Sequence, residues 1–248
     1  MLSKSKIKFV LTLGALLALA GPALAAPQAL LDQAAAAYAQ RADQAQAKQA
    51  VELYAQALAA DTKSEEAAWK LSRAWYWVGS HLADDQAMEP FEKAVEAAKQ
   101  AVAINPDSLP GHYWLGVAYA SYGRVKGVMK SLSLLDPIKE EMAWVIKKDA
   151  GYEAGGAYRV LGRLYYKVPA LMGGGTGKSL DNLKLAVQHG PQRWLNHIYL
   201  AETLLKDGKQ AEAKALLEQV VAGPAEAGLE PEYADWKTEA QRLLKDLK

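Results

Sequence analysis

The sequence predicts an all-α fold built as a stack of antiparallel helix pairs, an α-solenoid. Three observations predict it. Alanine dominates from residue 26 onward and no segment alternates apolar and polar side chains for long, so the period-two signal of a half-buried strand is missing. Turn-forming residues at Asn105-Pro106-Asp107, Gly123, Gly151, Gly173 to Gly177, Gly190-Pro191, Gly208 and Gly223-Pro224 divide the chain into segments. These segments are about 10 to 20 residues long, the length of ordinary helices. One spacing of small and large residues also recurs along the chain, as stacked repeats require.

The first 25 residues stand apart. Lys4, Lys6 and Lys8 precede an uncharged apolar run from Phe9 to Ala20, Gly21-Pro22 breaks it, and Ala23-Leu24-Ala25 follows as a small-x-small site. This order predicts a signal peptide over residues 1–25, cleaved before Ala26, and a soluble periplasmic product formed by residues 26–248. The apolar run is shorter than the about 20 residues that span a bilayer, so no stable membrane insertion is expected. The chain has no cysteine, which excludes disulfides, thiolate chemistry, zinc ribbons and a lipid on an N-terminal cysteine. Its formal net charge of +1 gives no global attraction for nucleic acid.

Within residues 26–248 the repeat can be registered. Leu115-Gly116, Tyr119 and Gly123 form a first-helix pattern in which a small residue admits a neighbouring helix and an aromatic fills the space beside it. The pattern recurs as Leu71-Ser72, Trp75, Gly79; as Leu161-Gly162, Tyr165; and as Leu200-Ala201, Leu204, Gly208. Second helices carry Ala94, Ala98, Ala101, Pro106; Ser179, Leu183, Ala186, Pro191; and a degraded Ala50, Tyr54, Ala57, Thr62. The units are longer than the 34 residues from Ser179 to Ala213, with extra residues at Ser80 to Pro90, near Gly174 and from Arg124 to Gly151. The last stretch contains Asp136-Pro137, a good helix start, followed by Glu140, Glu141, Trp144 and Ile146 at helical spacing, and reads as one inserted helix. Pro231 to Lys248, acidic at its start and basic at its end, reads as a C-terminal capping helix.

With these residues the chain resembles tetratricopeptide-repeat proteins over most of residues 46–225. Two segments narrow the likeness: Gly116-Val117-Ala118-Tyr119, and Tyr158 to Tyr165 continuing through Val168-Pro169 and Gly173-Gly174-Gly175 into Lys178-Ser179-Leu180. Through them it is similar to the T-component family of tripartite ATP-independent periplasmic (TRAP) transporters. That resemblance implies an exported helical array associated with a transporter substrate-binding subunit. The family's lipid-anchoring cysteine is missing here.

Catalytic and cofactor motifs are weak. Gly174-Gly175-Thr176-Gly177-Lys178-Ser179 ends like a phosphate-binding loop, but Met172 stands where the first glycine is required and the preceding segment is patterned as helix. It reads as an interhelical loop leading into a helix near Lys178. No two of His81, His112, His189 and His197 lie three or four apart, and no nucleophile elbow is present. No enzyme, no cofactor and no metal are expected. His112 and His197 occupy equivalent places in two first helices, as repeat packing would place them.

First helices of such arrays line the concave side, and residues four and three apart share a face. In one unit that face reads Trp69, Arg73, Tyr76 and Trp77; in another it reads Arg159, Arg163, Tyr166 and Lys167, with Tyr113 between them. Together they would form a basic, aromatic groove suited to an anionic group. The same aromatics fit helix–helix core, and the same cations fit solvated rims. Two functions remain open: a non-catalytic scaffold presenting the groove to a periplasmic protein or peptide, and a holder of a small anionic ligand closed in by the inserted helix and the glycine loop.

Overall fold

The computed structural model describes residues 26–247; the signal peptide expected over residues 1–25 lies outside them. Among the described residues there are twelve α-helices, one 3-10 turn and no strand. They are α1 Pro27–Ala39, α2 Gln44–Ala60, α3 Glu65–Ser80, α4 Asp84–Ile104, α5 Leu109–Lys126, α6 Val128–Ser133, α7 Leu135–Lys148, α8 Tyr152–Lys167, α9 Thr176–His189, α10 Trp194–Lys206, α11 Gln210–Ala222 and α12 Glu230–Asp246. The helix starts follow local chemistry. Asp43, Ser64 and Ser108 turn their side-chain oxygens back to accept from Ala45, Ala67 and Gly111 amides, satisfying donors that the first turn leaves open. Proline stands in the first turn of α1, α5 and α12, where its missing N–H is not needed.

The helices pair as α1/α2, α3/α4, α5/α7, α8/α9 and α10/α11, with α12 closing the stack. This corrects the reading of Arg124 to Gly151 as a single inserted helix. The segment holds two helices, and α7 is the second helix of the α5 unit. Ile138, Met142 and Val145 supply its buried face, at the spacing of Ala94, Ala98 and Ala101 but with larger side chains. Only the six-residue α6 is extra. The extra residues at Ser80 to Pro90 become additional turns of α4, a 21-residue helix that carries Pro90 inside.

Two glycines occupy the close crossings that the repeat pattern predicts. A Cβ on Gly116 would collide with Met142 Cε, and one on Gly162 would sit 2.5 Å from Leu183 Cγ. Gly162→Leu is therefore expected to overpack α8 against α9 and lower stability by about 1–3 kcal/mol. In a domain of this size that is a fall of about 2–4 °C in Tm per kcal/mol. An unchanged melting curve would place the crossing elsewhere.

The α8 unit departs from regular helix at its start. Glu153, Ala154 and Gly155 have φ of 50°, 53° and 73°, a left-handed turn unusual for the first two residue types. It brings Gly155 against α9, where a Cβ would lie 2.7 Å from the Ala186 carbonyl oxygen. The regular helix thus begins at Gly156. The glycine-rich connection after α8 is a structural turn: Gly175 N–H donates to Tyr165 O (2.9 Å), and Lys178 Nζ donates to Gly173 O (2.9 Å). α9 begins at Thr176, two residues earlier than expected.

The stack curves until its ends meet. α12 packs Ala240 and Leu243 against the last pair, and its first turn reaches the first unit. Arg41 Nε donates to Glu232 Oε1 (2.9 Å) and Arg41 Nη2 donates to Gly228 O (2.7 Å), while His81 Nε2 lies 3.2 Å from Asp235 Oδ2. No helix among the described residues is long and apolar enough to cross a membrane.

Candidate functional site

The concave face is built from α1, α3, α5, α8 and α10. Arg73 and Trp69 stand one turn apart on α3. The Arg73 guanidinium lies 4.2 Å from the Tyr38 ring centre and 5.1 Å from that of Trp69, with the Tyr54 hydroxyl nearby. Cation–π contact of this kind holds the charge in place without neutralising it. Arg73 has no carboxylate partner among the described residues, and its buried Nε has no hydrogen-bond acceptor. Tyr76 continues the wall, 5.6 Å from Trp114 and 6.2 Å from Phe91.

The other predicted cations are differently placed. Arg159 is buried, 6% exposed. It donates from Nη2 to the Tyr113 hydroxyl (2.9 Å) and from Nη1 to Asn196 Oδ1 (2.9 Å) and Glu153 O (3.3 Å). Asn196, itself fully buried, donates to the carbonyls of Ala154, Ala186 and Gly190. Arg159 and Asn196 thus satisfy the polar groups of the left-handed turn before α8, which would otherwise be stranded in the core. This corrects the expectation that Arg159 and Tyr113 face an open groove: both are enclosed, and each is the other's partner. Trp77 is also turned away from that face. It is 6% exposed, and its Nε1 donates to Arg41 O (2.8 Å) at the corner between α1 and α2.

Arg163 remains on the concave face but is paired, donating from Nη1 to Glu202 Oε2 (2.7 Å), with its guanidinium 4.3 Å from the Tyr199 ring centre and 5.0 Å from that of Tyr166. Tyr166 also receives Lys167 at 5.5 Å and Lys206 at 4.6 Å. Partial desolvation, followed by the charge of Arg163, pulls the Lys167 ammonium below its ordinary pKa. Burial pushes the Tyr38 and Tyr199 phenols up to about 12, and the Tyr113 and Tyr152 phenols upward as well. These hydroxyls therefore stay protonated near neutrality and act as hydrogen-bonding groups rather than bases.

The predicted site thus separates into an aromatic cluster of Trp69, Arg73 and Tyr76, a second cluster of Arg163, Tyr166 and Lys167 in which Arg163 is paired with Glu202, and a buried set of Tyr113, Arg159 and Trp77. Residues 30–172 match the protein family described as Regulator of microtubule dynamics protein 1-3. The chain belongs to this family. The family match runs from α1 to the 3-10 turn Ala170–Met172, and so takes in Tyr38, Trp69, Arg73 and Tyr76 together. Among solved structures, a thermophilic TPR protein of Thermus thermophilus, TTC0263, is similar at 23% identity and TM-score 0.64, over 85% of this chain and 98% of that one. PilW, described as a widely conserved type IV pilus biogenesis factor, is similar at 18% identity and TM-score 0.57, over 89% and 92%. The fold of this family member is thus a TPR-like solenoid. No curated protein matches its sequence closely enough to count as a relative.

Sequence reasoning missed Tyr38, Asn196, Tyr199 and Glu202. A signal for Glu202 was present: Arg73 and Arg163 each stand two residues after the register leucine of their unit, and the same step from Leu200 lands on Glu202. Tyr38 lies in a unit whose repeat pattern is degraded. The two equivalent histidines do pack as repeats: His112 Nε2 lies 2.9 Å from Pro106 O and His197 Nε2 lies 2.8 Å from Pro191 O, each six residues back.

Proposed function

We propose that this protein is a non-catalytic binding module that holds an acidic segment of a partner protein or peptide on its concave face, with Arg73 as the anchoring cation and Tyr38, Trp69 and Tyr76 as the apolar wall. One observation carries the reading. Of the three arginines on the predicted groove, Arg159 and Arg163 already have side-chain acceptors, whereas Arg73 is held half-buried between two rings beside the Tyr54 hydroxyl, with no carboxylate partner among the described residues and its Nε unpaired. A guanidinium so placed gains most from a ligand carboxylate, which it can meet with two parallel hydrogen bonds. The stacked helix pairs of the solenoid support it, since such arrays offer extended concave surfaces. The family description speaks of microtubule dynamics; what we carry over from it is the helical array, not the filament. Export to the periplasm rests on the order of charges and small residues before Ala26, and a transporter substrate-binding subunit as partner rests on the T-component likeness of the two short segments. A small anionic molecule would use the same guanidinium.

Calorimetric titration with acidic peptides ending in a free carboxylate, against their amidated Asn/Gln counterparts, tests this. Arg73→Ala is expected to weaken binding of the acidic form by about 1–3 kcal/mol, between an exposed and a desolvated charge contact. Arg163→Ala, whose charge is already paired, should change it by less than about 1 kcal/mol. Equal affinity of Arg73→Ala and the parent would overturn the assignment. Direct binding of small dicarboxylates, weakened in Arg73→Ala, with no peptide binding would transfer the site to a small ligand.

A further inference from the structure

Four of the five large hydrophobic side chains that stand exposed among the described residues lie at one edge of the stack: Val128 at 73%, Met129 at 81%, Leu171 at 102% and Met172 at 50%. The topology puts them there. α5 and α8 are first helices of consecutive units, and each leads into one of these tips, α6 and the 3-10 turn Ala170–Met172. α7 runs antiparallel beside α5: Lys148 at its end donates to Asp107, ahead of α5, at 2.8 Å. Its start therefore lies with the end of α5, and there Leu135 and Lys139 share a crevice with Leu164, Tyr165, Met172 and Gly173. Neither tip buries a residue. Both are nevertheless fastened at the base, by Ser131 Oγ donating to Gly123 O (2.6 Å) and Gly175 N–H donating to Tyr165 O (2.9 Å).

The same edge is basic. Lys126 and Lys130 lie over Tyr122, Lys178 over Tyr165, and Lys167 and Lys206 over Tyr166; all five lysines are exposed and none forms an ion pair among the described residues. Of the nearby carboxylates, Asp84 is engaged by Arg124, Asp136 by Lys139 and Asp207 by Lys209, while Glu92 accepts from the Tyr122 hydroxyl and leaves the five lysines in excess. We propose that this edge seats the protein on an anionic lipid bilayer, with Met129 and Leu171 entering the boundary between headgroups and acyl chains and the lysines meeting lipid phosphates. Apolar side chains flanked by lysine are the chemistry of interfacial seating. Protein–protein interfaces instead deplete lysine and use aromatic faces, and here the aromatic faces are covered by the lysines. The seating is peripheral, since no described helix can span.

Co-sedimentation of the purified protein with vesicles of phosphatidylcholine, with and without phosphatidylglycerol, tests this independently of peptide binding at Arg73. The protein should partition onto the phosphatidylglycerol vesicles and be released by salt. Lys126→Gln and Lys130→Gln should each weaken partitioning about fivefold. Met129→Asp combined with Leu171→Asp, at exposed sites where the melting curve should not change, should weaken it more than about tenfold. Absence of binding, equal binding to phosphatidylcholine alone, or unchanged binding of the Asp pair would each overturn the proposal. Concentration-dependent dimerisation lost in Leu171→Asp, without vesicle binding, would give the edge to a second copy of the chain and overturn it as well.

Discussion

Arg159→Ala is expected to lower folding stability by about 3–5 kcal/mol while leaving the binding of acidic peptides by the folded protein nearly unchanged. The expectation follows from what the guanidinium satisfies. Its loss leaves Asn196 Oδ1 and the Tyr113 hydroxyl without their partner in a region closed to water, at about 1–3 kcal/mol for each unpaired group. The vacated volume adds a cavity term. Relief of the buried charge offsets part of this. Arg159→Lys should recover only part of the loss, because one ammonium on a flexible stem cannot replace a planar fork that reaches Tyr113 on α5 and Asn196 on α10 together. Urea unfolding of the parent and both variants measures the effect. A stable Arg159→Ala that no longer binds acidic peptides would return Arg159 to the concave site.

The elements most legible in the sequence are those fixed by a residue's own size or hydrogen-bonding groups. Gly116 and Gly162 mark close crossings because only a residue without a Cβ fits against Met142 and Leu183, and Asn105-Pro106-Asp107 marks a turn because the Asn105 side-chain oxygen accepts from the Asp107 amide. α7 escaped the repeat register because it carries Ile138 and Val145, on either side of Met142, where the other second helices carry alanine or serine. The fit is kept by Gly116 on the facing helix, and a pattern read one helix at a time does not register such compensation. The site was less legible for the same reason. Whether an arginine is a ligand or a brace depends on its acceptors, and those of Arg159 lie 37 and 46 residues away. Its burial depends further on a left-handed turn at Glu153 to Gly155 that no local preference announces.

Arg41 is the extreme case, since its partner Glu232 is 191 residues distant, and removing it is expected to detach the two ends of the solenoid. The guanidinium is 4% exposed. It engages both oxygens of Glu232, donates to Gly228 O and Tyr38 O, and lies 4.8 Å and 5.1 Å from the ring centres of Tyr38 and Trp77. Breaking a fully buried pair from one side costs about 3–5 kcal/mol. Glu232 keeps 18% of its surface and can rehydrate, so Arg41→Ala should cost less, about 2–4 kcal/mol. The loss should be uneven along the chain. α12 retains Ala240 and Leu243 against the last pair, whereas its first turn is held to the first unit chiefly by Arg41, with an exposed His81–Asp235 contact beside it. Amide exchange in Arg41→Ala should therefore accelerate over residues 229–236 and remain near the parent's rate in α4, α5 and α7. Glu232→Gln should reproduce the effect in part, and the double variant should lose less than the sum of the two, as residues in direct contact do. Unchanged exchange at residues 229–236 would show that the contact between the ends is incidental and that α12 is held by α10 and α11 alone.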